Sequence, residues 1–138
     1  MSARLSAELI RLLGIKKGLL NELLASLGRS VCLLREDDMD AFDTEMDICQ
    51  QIAAKVDELH RSLDPIKAQA TPAMREETAV LESGIADILK RIDEARKECN
   101  DVAEQKLHTY GQQIKTIRHT KKGIDGYTNQ FVKREAAF

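Results

Sequence analysis

Residues 39–63 read MDAFDTEMDICQQIAAKVDELHRSL, and the spacing of apolar side chains in this stretch decides the fold class. Apolar residues recur at steps of three and four, while most positions between them are charged or polar. That spacing is the period of an α-helix with one apolar face. The apolar stripe consists of Met39, Phe42, Met46, Cys49, Ile52, Val56, Leu59 and Leu63.

Similar apolar stripes lie on both sides of this stretch. One covers residues 6–35, and the other covers residues 73–122, a run without proline. In chain order, their members are Leu9, Leu13, Leu20, Leu23, Leu27, Val31, Leu34, then Leu81, Ile85, Ile88, Ile92, Ala95, Cys99, Val102, Leu107, Tyr110, Ile114 and Ile117. The alternation typical of a half-buried strand is not found. The sequence therefore predicts three long helices.

Three segments are expected to end these helices. Residues 36–38, Glu-Asp-Asp, bring like charges together and offer an Asp N-cap, although one bent helix through this point stays open. Residues 64–72 hold both prolines, and proline inside a helix costs about 3 kcal/mol. Thr71-Pro72 then suits the start of a third helix. Two glycines within residues 123–126 are expected to end it.

These boundaries predict an all-α protein, either an elongated antiparallel helical hairpin or a three-helix, coiled-coil-like bundle. The bundle is expected to cover residues 1–122, and residues 123–138 form a short C-terminal tail. This tail contains Tyr127, Phe131, Val132 and Phe138, apolar side chains that a purely solvated tail has little reason to hold.

Composition excludes several classes of protein. The chain has 138 residues, of which 43% are hydrophobic and 32% charged, and its net charge is −2. Such a balance argues against disorder and against a surface built to cover a nucleic-acid backbone. Three widely spaced cysteines, no signal peptide and no membrane-spanning stretch favour a reduced, cytoplasmic protein that is not inserted in a membrane.

Charge is unevenly distributed along the chain. Residues 36–47 contain seven acidic and no basic side chains, whereas residues 106–134 contain seven basic side chains and one acid, Asp125. We interpret these segments first as two solvated faces that complement each other across an antiparallel helix pair. The alternative is that the basic C-terminal portion docks on an acidic partner, where such charge guides encounter more than it sets affinity.

The sequence contains no recognisable catalytic motif. The pairs Asp57/His60 and Glu104/His108 each place a carboxylate and an imidazole on one helix face, but neither fits a di-iron site, and surface ion pairs explain them better. A nucleophile elbow, a glycine-rich phosphate loop and a zinc-protease motif do not occur. We therefore expect neither an enzyme nor a cofactor or metal.

Two stretches carry a resemblance to a known family. An acidic junction, LLREDDMDAF at residues 33–42, follows a leucine-rich helix, and a basic stretch, IKTIRHTKKGIDGY at residues 114–127, leads into a lone tyrosine. With the long helices between them, these features make the chain similar to flagellar export chaperones of the FlgN and FliT type. The likeness spans most of the chain, and its motifs are diffuse.

The resemblance implies a chaperone for flagellar type III secretion. Its partners would be the C-terminal helices of hook-associated or filament-cap subunits, and the export gate or ATPase complex. In that family a tyrosine near the C-terminus contributes to docking on the export gate, and Tyr127 matches that position better than Tyr110 does. The candidate partner-binding residues are Tyr127, Tyr110, Ile114, Ile117, Ile124 and Phe131. The alternative is a coiled-coil scaffold that self-associates as a homodimer and has no export client.

Overall fold

The computed structural model describes residues 2–120, with side chains for residues 3–113. This part of the chain forms three α-helices, α1 (Ser2–Arg35), α2 (Met39–Ala68) and α3 (Pro72–Thr120), and contains no strand. Apolar side chains from all three helices meet in one core. The prediction of an all-α helical bundle is confirmed.

The chain divides into two compact units, Met1–Arg96 and Lys97–Phe138. The first unit holds α1, α2 and the first half of α3, and the second begins within α3. The predicted boundary between bundle and tail, at residue 123, lies outside the described residues and stays a prediction.

Side-chain contacts give the helix directions within Met1–Arg96. Arg29, late in α1, pairs with Glu45, early in α2, so these two helices run antiparallel. The hydroxyl of Ser6, early in α1, donates to Glu77, early in α3, at 2.5 Å. Further along, Lys17 of α1 lies beside Gly84 of α3, so α3 runs parallel to α1.

The core of this unit is built mainly from the predicted stripes. Its buried members are Leu9, Leu12, Leu13, Leu20, Val56, Leu63, Met74, Ile85 and Ile88. Burying one such side chain stabilises a fold by about 1.5–3 kcal/mol, so packing accounts for these residues without any partner. Leu12 and Met74 are additions that the stripes did not include.

The acidic segment at residues 36–38 separates two distinct helices. α1 ends at Arg35, and Asp37 takes a left-handed conformation (φ 60°), which short polar side chains tolerate better than most. The amides of Asp37 and Asp38 donate to carbonyls of the last turn of α1, at 3.2 and 3.0 Å. Asp38 then caps α2 by accepting a hydrogen bond from the Ala41 amide. The chain therefore forms two separate helices here, and not one bent helix.

The second boundary is narrower than predicted. Pro65 lies inside α2, which continues to Ala68, so a break over the whole of residues 64–72 is wrong. Proline this close to a helix end removes a single backbone hydrogen bond, and continuing the helix places Ile66 against the core. α3 starts at Pro72, and Thr71 accepts from the Met74 amide at 3.2 Å, as the sequence predicts.

Candidate functional site

The six predicted partner-binding residues differ in what the structure says of them. Tyr110 is half-buried on α3. Ile114 and Ile117 belong to the same helix, but their side chains lie outside the described part. The remaining three predictions, Ile124, Tyr127 and Phe131, fall outside the described residues altogether. Their role as a binding set therefore stays a prediction.

Two apolar side chains of α3 within the second unit, Lys97–Phe138, differ in exposure. Val102 is 6% exposed, whereas Leu107 is 36% exposed. Tyr110 follows Leu107 and is half-buried, and a Cβ atom built on Gly111 would meet nothing within 4 Å. Apolar surface at Leu107 and open space at Gly111 thus lie within one turn of each other on α3.

Other exposed apolar side chains do not form a second stripe. They are Ile10, Ile15, Ile48, Val80 and Leu89, distributed over all three helices. Ile10 and Ile15 are five residues apart, which places them about 140° apart around α1. Val80 is 85% exposed and lies well away from the core face of α3. Scattered apolar side chains of this kind are normal on a protein surface.

A group of charged side chains lies where the three helices of Met1–Arg96 come together. Lys16 of α1 is only 8% exposed. Burial lowers the pKa of its ammonium group, and the Lys67 cation lowers it further, while Glu82 and Asp64 act in the opposite direction. Lys67 pairs with Glu82 across α2 and α3 at 3.2 Å.

Sequence reasoning missed Lys16, although a signal was present. Lys16 follows Leu13 by three residues and precedes Leu20 by four, so its position lies on the apolar stripe of α1. A long aliphatic stem allows lysine to cover apolar surface while its ammonium group turns toward water or other charges.

A cleft opens beside this charged group, and we call it the α2–α3 cleft. Its volume is about 350 Å³. The lining residues are Leu9, Lys67, Ala70, Arg75, Thr78, Ala79 and Glu82. The cleft therefore joins an apolar surface, two cations and one carboxylate. The Thr78 hydroxyl is already engaged, because it donates to the Met74 carbonyl at 3.0 Å.

A buried polar cluster joins the second half of α1 to the first half of α2, away from the α2–α3 cleft. Ser26 and Ser30 are fully buried, and the Ser30 hydroxyl donates to the Ser26 carbonyl at 2.9 Å. The Cys49 thiol donates to the Ser26 hydroxyl at 3.1 Å. Small hydroxyl side chains at these positions satisfy their own polar atoms, so the cluster has a packing role.

The histidines do not assemble a centre among the described residues. Within that part of the chain, no group of three His, Cys, Asp or Glu side chains could hold a metal ion. The Nε2 atom of His60 is buried and has no hydrogen-bond partner among the residues that the structure describes, and His108 contacts Gln112 at 3.1 Å.

Membrane-spanning segments and similarity to known proteins were the two remaining sources of information about function. Across the described residues, no helix is both long enough and apolar enough to cross a membrane. Comparison of the sequence with protein-family models and with curated proteins, and of the chain with solved structures, found no match. Two features of the described residues offer a surface to a partner or ligand: Leu107 with Tyr110 on α3, and the α2–α3 cleft.

Proposed function

We propose that the chain is a cytoplasmic export chaperone that binds C-terminal amphipathic helices of flagellar hook-associated or filament-cap subunits. It prevents these subunits from assembling early and delivers them to the type III export gate or ATPase complex. The proposal starts from the resemblance at residues 33–42 and 114–127. The structural observation that supports it is the change from a buried Val102 to a partly exposed Leu107 along α3.

The proposed binding surface is the apolar stripe from Leu107 through Tyr110, Ile114 and Ile117. An amphipathic helix binds such a surface by placing apolar residues of its own at helical spacing along it. Each 100 Å² of apolar surface removed from water contributes about 2.5 kcal/mol before the costs of association. Because an export chaperone must release its client, a modest interface suits this role better than an obligate one.

A binding measurement on the full chain tests the proposal. Titration calorimetry with a synthetic C-terminal helix of a hook-associated subunit, encoded in the same genome, is expected to give a one-to-one complex. Leu107→Glu should weaken it at least tenfold, because a charge would enter the apolar contact. The matched control is Val80→Glu, which introduces the same charge on the same helix at a site that is 85% exposed.

The alternative, a self-associating scaffold, uses the same stripe. Its molecular mass, measured by sedimentation, would then be a multiple of the 15.5 kDa chain and would fall in Leu107→Glu but not in Val80→Glu. A dimer of this kind that binds no subunit helix would replace the chaperone proposal. If Leu107→Glu and the natural chain bind the subunit helix equally well, the proposal that this stripe is the binding surface is wrong.

A further inference from the structure

The α2–α3 cleft is lined by two cations and by an apolar surface, and the proposed chaperone function assigns it no role. Leu9, Ala70 and Ala79 provide the apolar lining, while Lys67 and Arg75 provide positive charge. A volume of about 350 Å³ lies at the lower end of the range for small-molecule sites. The cleft can therefore accept a group of limited size.

The two cations of the cleft are in different situations. Lys67 is paired with Glu82 at 3.2 Å, so much of its charge is already balanced. Arg75 also lines the cleft, and among the residues that the structure describes its side chain forms no hydrogen bond or ion pair. Guanidinium groups bind carboxylates through two parallel hydrogen bonds.

The charges around the cleft favour a singly charged anion. Lys16 is 8% exposed and stands close enough to Lys67 and Glu82 to feel both charges. Asp64 also acts on Lys16, so the charges of this group largely balance one another, and Arg75 is the cation that the cleft offers to an anion. Glu82, by contrast, would repel a doubly charged phosphate more strongly than a carboxylate.

We propose that the α2–α3 cleft binds a carboxylate attached to an aliphatic chain. The carboxylate pairs with Arg75, and the aliphatic part covers Leu9, Ala70 and Ala79. Such a group occurs both on a free organic acid and on a glutamate side chain flanked by leucines in a peptide. The inference stands apart from the chaperone proposal, since Leu107 and its neighbours have no part in it.

The test is a nuclear magnetic resonance titration of the full chain, following the backbone amides of Arg75, Thr78 and Ala79. The probes are hexanoate and a blocked peptide with one glutamate between leucines. Hexylammonium, inorganic phosphate and the glutamine version of the peptide are the controls. Saturable shifts with hexanoate or with the glutamate peptide are expected, and the tighter of the two identifies the source of the carboxylate.

In the same titration, variants test separately the charge of Arg75 and the free volume of the cleft. Arg75→Gln should weaken carboxylate binding about tenfold, because one charge-assisted contact is lost. Ala79→Leu, at an exposed position, should fill the cleft and abolish saturation. Arg61→Gln removes an exposed cation of α2 outside the cleft lining and should change nothing.

Three results would overturn the inference. The first is that neither carboxylate probe shifts these amides in a saturable way. The second is that hexylammonium or phosphate shifts them as strongly, which would leave no selectivity for a carboxylate. The third is that Arg61→Gln and Arg75→Gln have equal effects. None of these outcomes depends on whether a flagellar helix binds near Leu107, so the two proposals fail separately.

Discussion

Arg29 and Glu45 form an ion pair between α1 and α2 in which the two partners differ sharply in exposure. The Arg29 side chain is 60% exposed, whereas the Glu45 side chain is 8% exposed. The carboxylate has therefore lost most of its hydration and depends on the guanidinium group for compensation, while the guanidinium group keeps its contact with water. Removing one partner or the other should consequently have unequal effects.

We expect Arg29→Ala to lower the free energy of unfolding by about 2 kcal/mol, because it leaves a buried carboxylate without its partner. Glu45→Gln should cost less than half as much, since Arg29 is left in water and the buried group is now neutral. Urea unfolding of both variants gives the comparison, and Arg29→Lys is the charge-preserving control. Equal losses in the first two variants would mean that Glu45 is adequately hydrated in solution.

Lys16 is expected to reduce the stability of the fold at neutral pH. Because burial lowers the pKa of its ammonium group below the ordinary 10.5, the unfolded chain binds this proton more tightly than the folded chain does. Stability should therefore rise as pH increases from the lowered pKa toward 10.5. Lys16→Met should raise the free energy of unfolding by roughly 1 kcal/mol at neutral pH.

The pH dependence distinguishes this cause from a simple change in packing. The advantage of Lys16→Met over the natural chain should shrink as the pH approaches 10.5, where the lysine is neutral in both states. Lys55→Met, at an exposed site on α2, serves as the control and should change stability by less than about 0.5 kcal/mol. An advantage that does not vary with pH would point to packing rather than to the ammonium charge.

The caps of α2 and α3 are expected to contribute independently. Asp38 accepts a hydrogen bond from the Ala41 amide, and Thr71 accepts one from the Met74 amide, both at 3.2 Å. Replacing either residue by alanine should cost about 1 kcal/mol. Since the two caps share no partner, the double variant should lose the sum of the two. Thermal unfolding measures this, and Asp38→Asn should retain most of the stability.

Glycines on the exposed face of α1 should make the helix less stable than alanine would. A Cβ atom built on Gly14, Gly18 or Gly28 meets nothing within 4 Å. Replacing each by alanine should therefore raise the free energy of unfolding by about 0.5–1 kcal/mol. Gly84→Ala should gain less, because its Cβ atom would lie 3.2 Å from the Lys17 ammonium nitrogen. Destabilisation at Gly14, Gly18 and Gly28 would show that another molecule covers this face in solution.

Local signals in the sequence were sufficient for the apolar faces of the helices and for the starts of α2 and α3. The spacing of Leu9, Val56 and Ile85 within their stripes identified core faces, and Asp38 and Thr71-Pro72 marked where helices begin. Pro65 was misleading because its local cost was smaller than the gain from packing Ile66. The low helix propensity of proline is a local property, and it does not take into account the core contacts that the next helical turn makes.

The candidate sites were less accessible to sequence reasoning. The α2–α3 cleft joins Leu9 to residues more than fifty positions away, and no local pattern reports that neighbourhood. The six predicted partner-binding residues, among them Ile114, Tyr127 and Phe131, are based on periodicity and on the resemblance. These indicate an apolar binding surface, but they do not show which residues contact a partner.

By itself, the sequence determined that residues 2–120 form helices, where α2 and α3 begin and which face of each helix is apolar, because these properties depend on residues three or four positions apart. The tertiary structure alone decided that Arg29 meets Glu45, that Lys16 is buried beside Lys67, and that Arg75 lines a cleft together with Leu9. Those relationships follow from the register in which helices pack. Register is set by the sum of many side-chain contacts, which no single segment of the chain contains.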